Sequence, residues 1–199
     1  MAASLARNRT LHFFKNFTNC KALRGRERCL FSLLNSSDDR LSHRERRLVG
    51  FSQQQMYQVV SDTDRYPEFL PWCHRSQAIA RRGLVENVQL TVGFAPFKET
   101  YISEVTRHEP HRIYAYSAEG TFFRDLESRW SFVAQDKHSC ILDFEVKLTV
   151  KSSLQAPLAT IFLTTTASHM SRAFIDRAKE LYGKPSCDEQ KLSDAEVRS

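Results

Sequence analysis

Hydrophobic and polar residues alternate with a period of two through most of residues 87–150. In the clearest run, residues 140–150, Leu142, Phe144 and Val146 share one face while Asp143 and Glu145 share the other. Shorter runs with the same alternation precede it at residues 87–94, 100–106, 113–117 and 125–132. Because short turns rather than helical crossovers separate the runs, the pattern predicts consecutive antiparallel strands with one apolar and one polar face.

The hydrophobic period changes from two to 3.6 in the last long apolar segment, residues 154–182. Ser152 or Ser153 can cap the start of a helix there, Pro157 is tolerated in its first turn, and Gly183 can close its end. The apolar residues of the segment fall on one stripe of a helical wheel: Leu163, Ala167, Met170, Phe174, Ala178 and Leu181. The segment therefore predicts a long C-terminal helix that needs a large apolar partner surface.

A first strand and two short helices are predicted before the series of strands. Residues 44–51 alternate in the manner of a strand, and Ser52 followed three residues later by Gln55 forms a capping-box sequence for the first helix. A second short helical turn is predicted at residues 64–70 and ends at Pro71. These elements occupy the region between the first strand and the sheet.

Together the elements predict an α+β protein with the helix-grip arrangement, in which a curved antiparallel sheet of six to seven strands wraps around the long C-terminal helix. The two short helices follow the first strand. Four small residues share the inward face of the sheet with large apolar residues and could leave space beneath the helix: Ser103, Ala115, Ser117 and Ser128. A solid core of interlocking small and large residues fits the same pattern, so the sequence leaves both arrangements open.

An enclosed space of this kind would suit a long apolar ligand, since each buried methylene contributes about 0.8 kcal/mol. Candidate polar groups that could orient such a ligand are few: Tyr101, Ser103, Ser117, Ser128, Thr165, Thr166 and His169. A corner stiffened by two prolines is expected to flank the cavity mouth and touch a bilayer through Phe69, Leu70 and Trp72. The residues predicted to bind the ligand are Phe69, Leu70, Trp72, Leu90, Val92, Phe94, Tyr101, Leu126, Trp130, Phe132, Phe144, Phe162, Leu163, Met170 and Phe174.

Sequence motifs for the common catalytic and cofactor chemistries are absent from the chain. It contains no GxSxG, HExxH, GxGxxG or phosphate-binding GxxxxGK[ST] pattern. His108 and His111 flank a proline turn and are read as exposed loop residues rather than a metal pair. Glu99, Glu127 and Glu145 are assigned to the polar, solvated faces of their strands. We therefore predict no catalytic residue, no metal and no cofactor.

The positive charge of the chain is concentrated before the predicted domain. The chain has 29 Lys and Arg against 23 Asp and Glu, but residues 1–47 carry a net charge of +7 and residues 48–199 a net charge of −1. Residues 1–37 are basic, amphipathic and nearly free of acids, which is typical of a mitochondrial transit peptide. A disordered basic tail that binds nucleic acid is the alternative, whereas the rest of the chain is not expected to bind nucleic acid.

Three segments are predicted from these observations. Residues 1–37 form a transit peptide that is cleaved or disordered, residues 38–184 form the single folded domain, and residues 185–199 form a disordered C-terminal tail. No apolar run reaches the roughly 18 residues that a membrane-spanning helix needs.

The order of elements resembles the helix-grip fold of START-like lipid-binding domains within the polyketide cyclase superfamily. Among these, the chain most resembles the mitochondrial coenzyme Q-binding proteins. The similarity is carried by residues 66–73 (Tyr-Pro-Glu-Phe-Leu-Pro-Trp-Cys), 90–94, 101–105, 126–132 and 158–162, together with Ala173 and Phe174. It covers about residues 44–183, nearly the whole predicted domain.

The resemblance implies a non-enzymatic protein that binds ubiquinone or its biosynthetic intermediates. It implies a quinone chaperone that supports respiratory electron transport and efficient ubiquinone biosynthesis, located peripherally on the matrix side of the inner mitochondrial membrane. Quinone-biosynthesis proteins are possible partners. Two alternatives come from the same superfamily: an inhibitor of ribosomal subunit joining and a cyclase or aromatase enzyme.

Overall fold

The computed structural model describes residues 40–94, 97–118, 120–152 and 156–193. The predicted leader, residues 1–37, lies outside the described residues. The elements follow in the order β1 (Arg40–Val49), α1 (Gln53–Ser61), a 3-10 turn (Thr63–Arg65), α2 (Tyr66–Phe69), β2 (Cys73–Arg82), β3 (Val85–Phe94), β4 (Phe97–His108), β5 (Arg112–Ser117), β6 (Phe123–Ala134), β7 (Cys140–Val150), α3 (Ala156–Tyr182) and β8 (Gln190–Lys191).

The strands form one antiparallel sheet in the order β2-β3-β4-β5-β6-β7-β1-β8. Consecutive strands from β2 to β7 are neighbours, and β1 then pairs with β7 from Arg40↔Thr149 to Val49↔Cys140. The predicted fold class, an α+β protein with a curved antiparallel sheet and a long C-terminal helix, is confirmed. The sheet of the described chain has eight strands rather than six to seven, because the sequence did not reveal β2 or β8.

Strand β2 was not predicted because two irregularities interrupt the alternation of inward and outward side chains along it. Register shifts lie between Cys73 and Arg75 and between Ala78 and Ala80, where β2 pairs with β3. Each irregularity changes the face on which the following side chains lie. Only Cys73 and Ser76 are buried in this edge strand, so no period-two hydrophobic pattern is visible.

Helix α1 begins where the capping box predicts. The Ser52 side chain accepts a hydrogen bond from the Gln55 N–H (3.2 Å), and the Gln55 side chain accepts one from the Ser52 N–H (2.9 Å). Both interactions satisfy amide groups that have no partner within the helix. The apolar face of the helix, including Met56 and Val60, is buried in the core, which holds α1 against the sheet.

Helix α3 crosses the concave face of the sheet. Pro157 is its second residue, where a missing N–H costs nothing, and Gly183 ends it with a φ of 84° and an N–H bonded to the Lys179 carbonyl at 2.9 Å. The predicted inward stripe is buried at Phe174 and Ala178, but Leu181 is 53% exposed. No helix within the described residues is both long and apolar enough to cross a membrane.

The C-terminal segment returns to the sheet, so the expectation of a disordered tail is wrong for residues 185–193. The Ser186 N–H bonds the Gly50 carbonyl at 2.8 Å, and the short strand β8 pairs with β1. Arg47 forms ion pairs with both Glu45 and Glu189. A long-range partner for Arg47 cannot be read from local sequence, and residues 194–199 lie outside the described part.

The ion pair between Arg47 and Glu189 should contribute to stability because both side chains are largely buried. The exposed fractions of the two side chains are 14% and 23%. Glu189→Gln is expected to lower the free energy of unfolding by about 1 kcal/mol, measured by urea denaturation. Glu180→Gln disrupts the more exposed pair with Arg177 and should cost less than about 0.5 kcal/mol; equal losses would contradict a structural role for Glu189.

Candidate functional site

An apolar cavity of about 140 Å³ lies between the concave face of the sheet and α3. The structure thus has a cavity where the sequence left a cavity and a solid core both open. For comparison, an engineered apolar cavity of about 150 Å³ in another protein stays free of water and binds benzene. The volume is therefore sufficient for one six-membered ring.

The cavity exists because small side chains interrupt a row of larger ones. Val105, Ala115, Ser128 and Val146 are successive cross-strand partners on β4, β5, β6 and β7. All four line the cavity. Directly opposed residues point to the same side of an antiparallel sheet, so Ala115 and Ser128 leave a depression in the middle of the row.

An aromatic cluster closes one side of the cavity and is centred on Phe174 of α3. The Phe174 ring meets Trp130, Tyr66 and Phe69 edge-on, with centroid distances of 4.9, 5.2 and 5.1 Å. Trp130 stacks on Phe144 at 4.2 Å. These contacts fix the position of α3 over the sheet and make the wall rigid.

The described lining contains no charged side chain, and its titratable groups stay neutral. Burial raises the pKa of the Cys73 thiol to about 11, and burial likewise raises the pKa of Tyr66 and of Tyr101. The Tyr66 hydroxyl donates to the Val60 carbonyl at 2.6 Å. The cavity therefore offers an uncharged, mainly apolar surface with a few hydroxyl groups.

Most of the residues predicted to bind the ligand come together around this cavity. Those that line it are Leu70, Trp72, Leu90, Val92, Tyr101, Leu126, Trp130, Phe144, Leu163, Met170 and Phe174. Phe132 does not; it lies further along the inward face of β6, where its buried ring meets Tyr57 of α1 edge-on. Phe69 is also outside the lining and supports it through Phe174. The side chains of Phe94 and Phe162 lie outside the described part of the structure.

The prediction that Leu70 and Trp72 touch a bilayer is wrong. Their side chains are only 3% and 7% exposed. The chain turns inward there, since the Leu70 N–H bonds the Tyr66 carbonyl at 2.9 Å and the Trp72 carbonyl accepts from the Gly93 N–H at 2.8 Å. Two prolines next to aromatic residues were read as an exposed corner, but they direct these side chains into the cavity wall.

Some lining residues were not predicted. Val88, Val105, Ile113 and Val146 belong to inward strand faces that the alternation does reveal, but they were not selected. Ala167 lies on the predicted apolar stripe of α3 and was likewise not selected. The others depend on tertiary contacts that carry no local signal: Thr63, Tyr66 and Cys73.

Three of the proposed polar groups do not line the cavity: Ser117, Thr165 and His169. Ser117 is buried but does not line the cavity, and His169 is exposed on α3 with Nδ1 2.6 Å from the Thr165 carbonyl oxygen. Glu99, assigned to the solvated face of β4, is only 8% exposed. The assignment of Glu99 to the solvated face is therefore wrong.

The sheet, the helix laid across it and the apolar cavity between them define a helix-grip, START-like protein. The chain belongs to the polyketide cyclase / dehydrase and lipid transport family, whose model matches residues 49–175. A solved structure of a START superfamily protein from Mycobacterium smegmatis is similar, with a TM-score of 0.61 over 71% of this chain and 98% of that chain. At 23% sequence identity, this similarity shows a shared fold.

Two curated relatives are coenzyme Q-binding proteins. COQ10 homolog B, mitochondrial, from Xenopus laevis is 35% identical over 148 residues, and COQ10, mitochondrial, from Drosophila melanogaster is 37% identical over 161 residues. The alignments cover 73% and 78% of this chain but 61% and 66% of the relatives, so the chain spans just under two thirds of their length. The predicted resemblance to coenzyme Q-binding proteins is confirmed.

A third relative has a different name. The ribosome association toxin RatA from Pseudomonas aeruginosa is 30% identical over 139 residues, covering 68% of this chain and 94% of that protein. The same family therefore includes proteins named for binding a quinone and for association with ribosomes.

Proposed function

We propose that the protein binds ubiquinone or a related isoprenoid quinone, with the quinone ring in the cavity beneath α3, and that it does so without catalysing a reaction. The observation that carries this proposal is an uncharged, apolar cavity of about 140 Å³. A cavity of this size accepts a six-membered ring. The names of the two coenzyme Q-binding relatives support the choice of ring.

The isoprenoid tail would extend beyond the described cavity. The cavity is close in volume to one that holds a single benzene molecule, so it has room for a ring but not for a ring together with an isoprenoid tail. The tail would contribute affinity along apolar surface outside the ring site, at about 0.8 kcal/mol per buried methylene.

The cellular role we propose is that of a quinone chaperone. It would sit peripherally on the matrix side of the inner mitochondrial membrane and deliver quinone to respiratory electron transport and to quinone-biosynthesis proteins. The basic, acid-poor residues 1–37 and the mitochondrial names of the coenzyme Q-binding relatives support this location.

Lipid extraction tests quinone binding directly. The full chain, purified from a host that makes ubiquinone, is expected to carry quinone in near-stoichiometric amounts, measured by mass spectrometry of the extract. The Ala115→Phe variant, in which the cavity is filled, serves as the control and should carry little. A lipid-free protein that also fails to take up added quinone would overturn the proposal.

Ribosome association is the second candidate, because RatA is aligned over 94% of its length. The net charge of −1 over residues 48–199 does not favour binding to RNA, which depends on neutralising phosphates. Specific co-sedimentation of the purified chain with a large ribosomal subunit would support this candidate over quinone binding. Turnover of a quinone precursor by the pure protein would instead indicate an enzyme.

A further inference from the structure

Glu99 is a buried carboxylate on the concave face of the sheet. It is the cross-strand partner of Val92 and lies two residues before Tyr101, and both of these residues line the cavity. Directly opposed residues share a face, with Cβ atoms about 5 Å apart, so the Glu99 side chain stands beside the cavity wall. Only 8% of it is exposed.

The two oxygens of this carboxylate have different surroundings. Oε1 accepts a hydrogen bond from the Thr121 N–H. Oε2 is fully buried and has no hydrogen-bond partner among the described residues. Within that part of the chain, Glu99 also forms no ion pair with a Lys, Arg or His side chain. Because a buried carboxylate oxygen without a donor is unfavourable, the site is complete only when a donor reaches Oε2.

The loop after β5 packs directly against the carboxylate. A Cβ atom on Gly120 would overlap both Glu99 Oε1 and the Phe123 ring, so residue 120 has no room for a side chain. The close approach of the backbone allows Thr121 to hold Oε1 in place. The loop therefore orients the carboxylate and leaves Oε2 without a donor. Oε2 is covered and Glu99 does not itself line the cavity, so a ligand ring reaches this oxygen by displacing the wall at Val92 and Tyr101.

Tyr101 supplies a second polar group at this end of the cavity. Its ring lines the cavity and meets Phe123 edge-on at 5.3 Å. Burial raises the pKa of Tyr101, and the charge of Glu99 contributes to the rise, as expected for neighbouring groups. The phenol remains protonated at neutral pH and can both donate and accept a hydrogen bond.

We propose that Glu99 anchors the ligand by accepting, through Oε2, a hydrogen bond from a hydroxyl group on the ligand ring. The inference rests on the proposed quinone-binding function and specifies the form of the ring. A quinone presents only carbonyl acceptors, which cannot pair with a carboxylate acceptor, whereas a hydroquinone or phenol presents O–H donors. The cavity therefore prefers the reduced or phenolic ring to the oxidised quinone.

Tryptophan fluorescence provides the measurement, since both tryptophans of the chain, Trp72 and Trp130, line the cavity. The full chain is titrated anaerobically with a short-chain ubiquinol and with the corresponding ubiquinone. The hydroquinone is expected to bind at least about tenfold more tightly, the usual effect of one hydrogen bond to a charged group. A 4-alkylphenol and its methyl ether, compared in the same way, remove redox chemistry from the test and should show the same order.

The Glu99→Gln variant should abolish or reverse this preference. The glutamine oxygen would keep the bond from the Thr121 N–H, which places the amide NH₂ where Oε2 was. The amide can then donate to a quinone carbonyl. Glu104→Gln is the matched control, because Glu104 lies exposed on the same strand and on its outer face; its ratio of affinities should equal that of the wild type.

The outcomes separate the two proposals. If neither form of the ring binds the wild-type chain, the proposed function fails. If both forms bind equally, and phenol and ether bind equally, quinone binding stands and the role of Glu99 is wrong. Both ligand comparisons use the wild-type chain, so they test the role of Glu99 even if Glu99→Gln does not fold. A preference that survives in Glu99→Gln likewise overturns the inference.

Discussion

Replacing Phe174 with alanine should lower the free energy of unfolding by about 3–5 kcal/mol, the usual cost of removing a buried aromatic side chain. Phe174 is 1% exposed and contacts three other aromatic rings edge-on. Its removal enlarges the space beneath α3 and leaves Tyr66, Phe69 and Trp130 without their shared partner. The cost includes both the lost transfer energy and the cavity that remains.

Thermal and urea denaturation of the purified variant measure this effect. For a chain of this size, each kcal/mol corresponds to a change of roughly 2–4 °C in melting temperature, so a fall of about 6–20 °C is expected. Leu181→Ala, on the same helix but at a position that is 53% exposed, should change stability by less than about 0.5 kcal/mol. A loss below about 1 kcal/mol for Phe174→Ala would contradict a close-packed aromatic wall.

Much of the sheet could be predicted because its strands are buried on one face only. In β7 the alternation of Leu142, Phe144 and Val146 with Asp143 and Glu145 reports directly which side faces the helix. Short turns between β3 and β7 then require antiparallel neighbours. The same local rules predict the capping of α1 and the end of α3, because both depend on residues close together in sequence.

Interactions between distant residues were not predictable in this way. Glu45 and Arg47 are polar residues on the inward side of β1, opposite Phe144 and Leu142, and they are accommodated because Glu189 pairs with Arg47. Local alternation cannot reveal a partner that lies 142 residues away. Without knowledge of Glu189, a charged residue on the inward face of β1 therefore appears to interrupt the alternation of apolar and polar residues.

The same distinction between local pattern and long-range contact applies to the residues of the candidate site. The inward apolar residues of β3, β6 and β7 were identified because alternation determines the face on which they lie. Glu99 shares a face with Tyr101 by the same period of two, yet it was assigned to the solvated face of β4. Only the loop at Gly120 and Thr121, which approaches from another part of the chain, makes its burial possible. The face of a polar residue is therefore better assigned from the period of its strand than from its charge.

Filling the cavity should abolish quinone binding while preserving the fold. Ala115 lies in the row of cross-strand partners between Val105 and Ser128, at the depression that creates the space. In Ala115→Phe a benzene ring enters a cavity of about 140 Å³, the volume that the ligand ring requires. We expect the affinity for a short-chain quinone to fall at least about 100-fold, since overlap of two rings cannot be relieved without displacing α3.

Stability distinguishes occlusion from misfolding. Because the added ring removes apolar surface from an unfilled space, the melting temperature of Ala115→Phe should be unchanged or higher. Ala134→Phe adds the same ring at an exposed position on β6 and should leave binding intact. If Ala115→Phe is overpacked and melts early, Ser128→Val offers a smaller filling of the same depression, with a smaller loss of affinity. Undiminished quinone binding by a folded Ala115→Phe chain would show that the ligand ring binds elsewhere, because one volume cannot hold both rings.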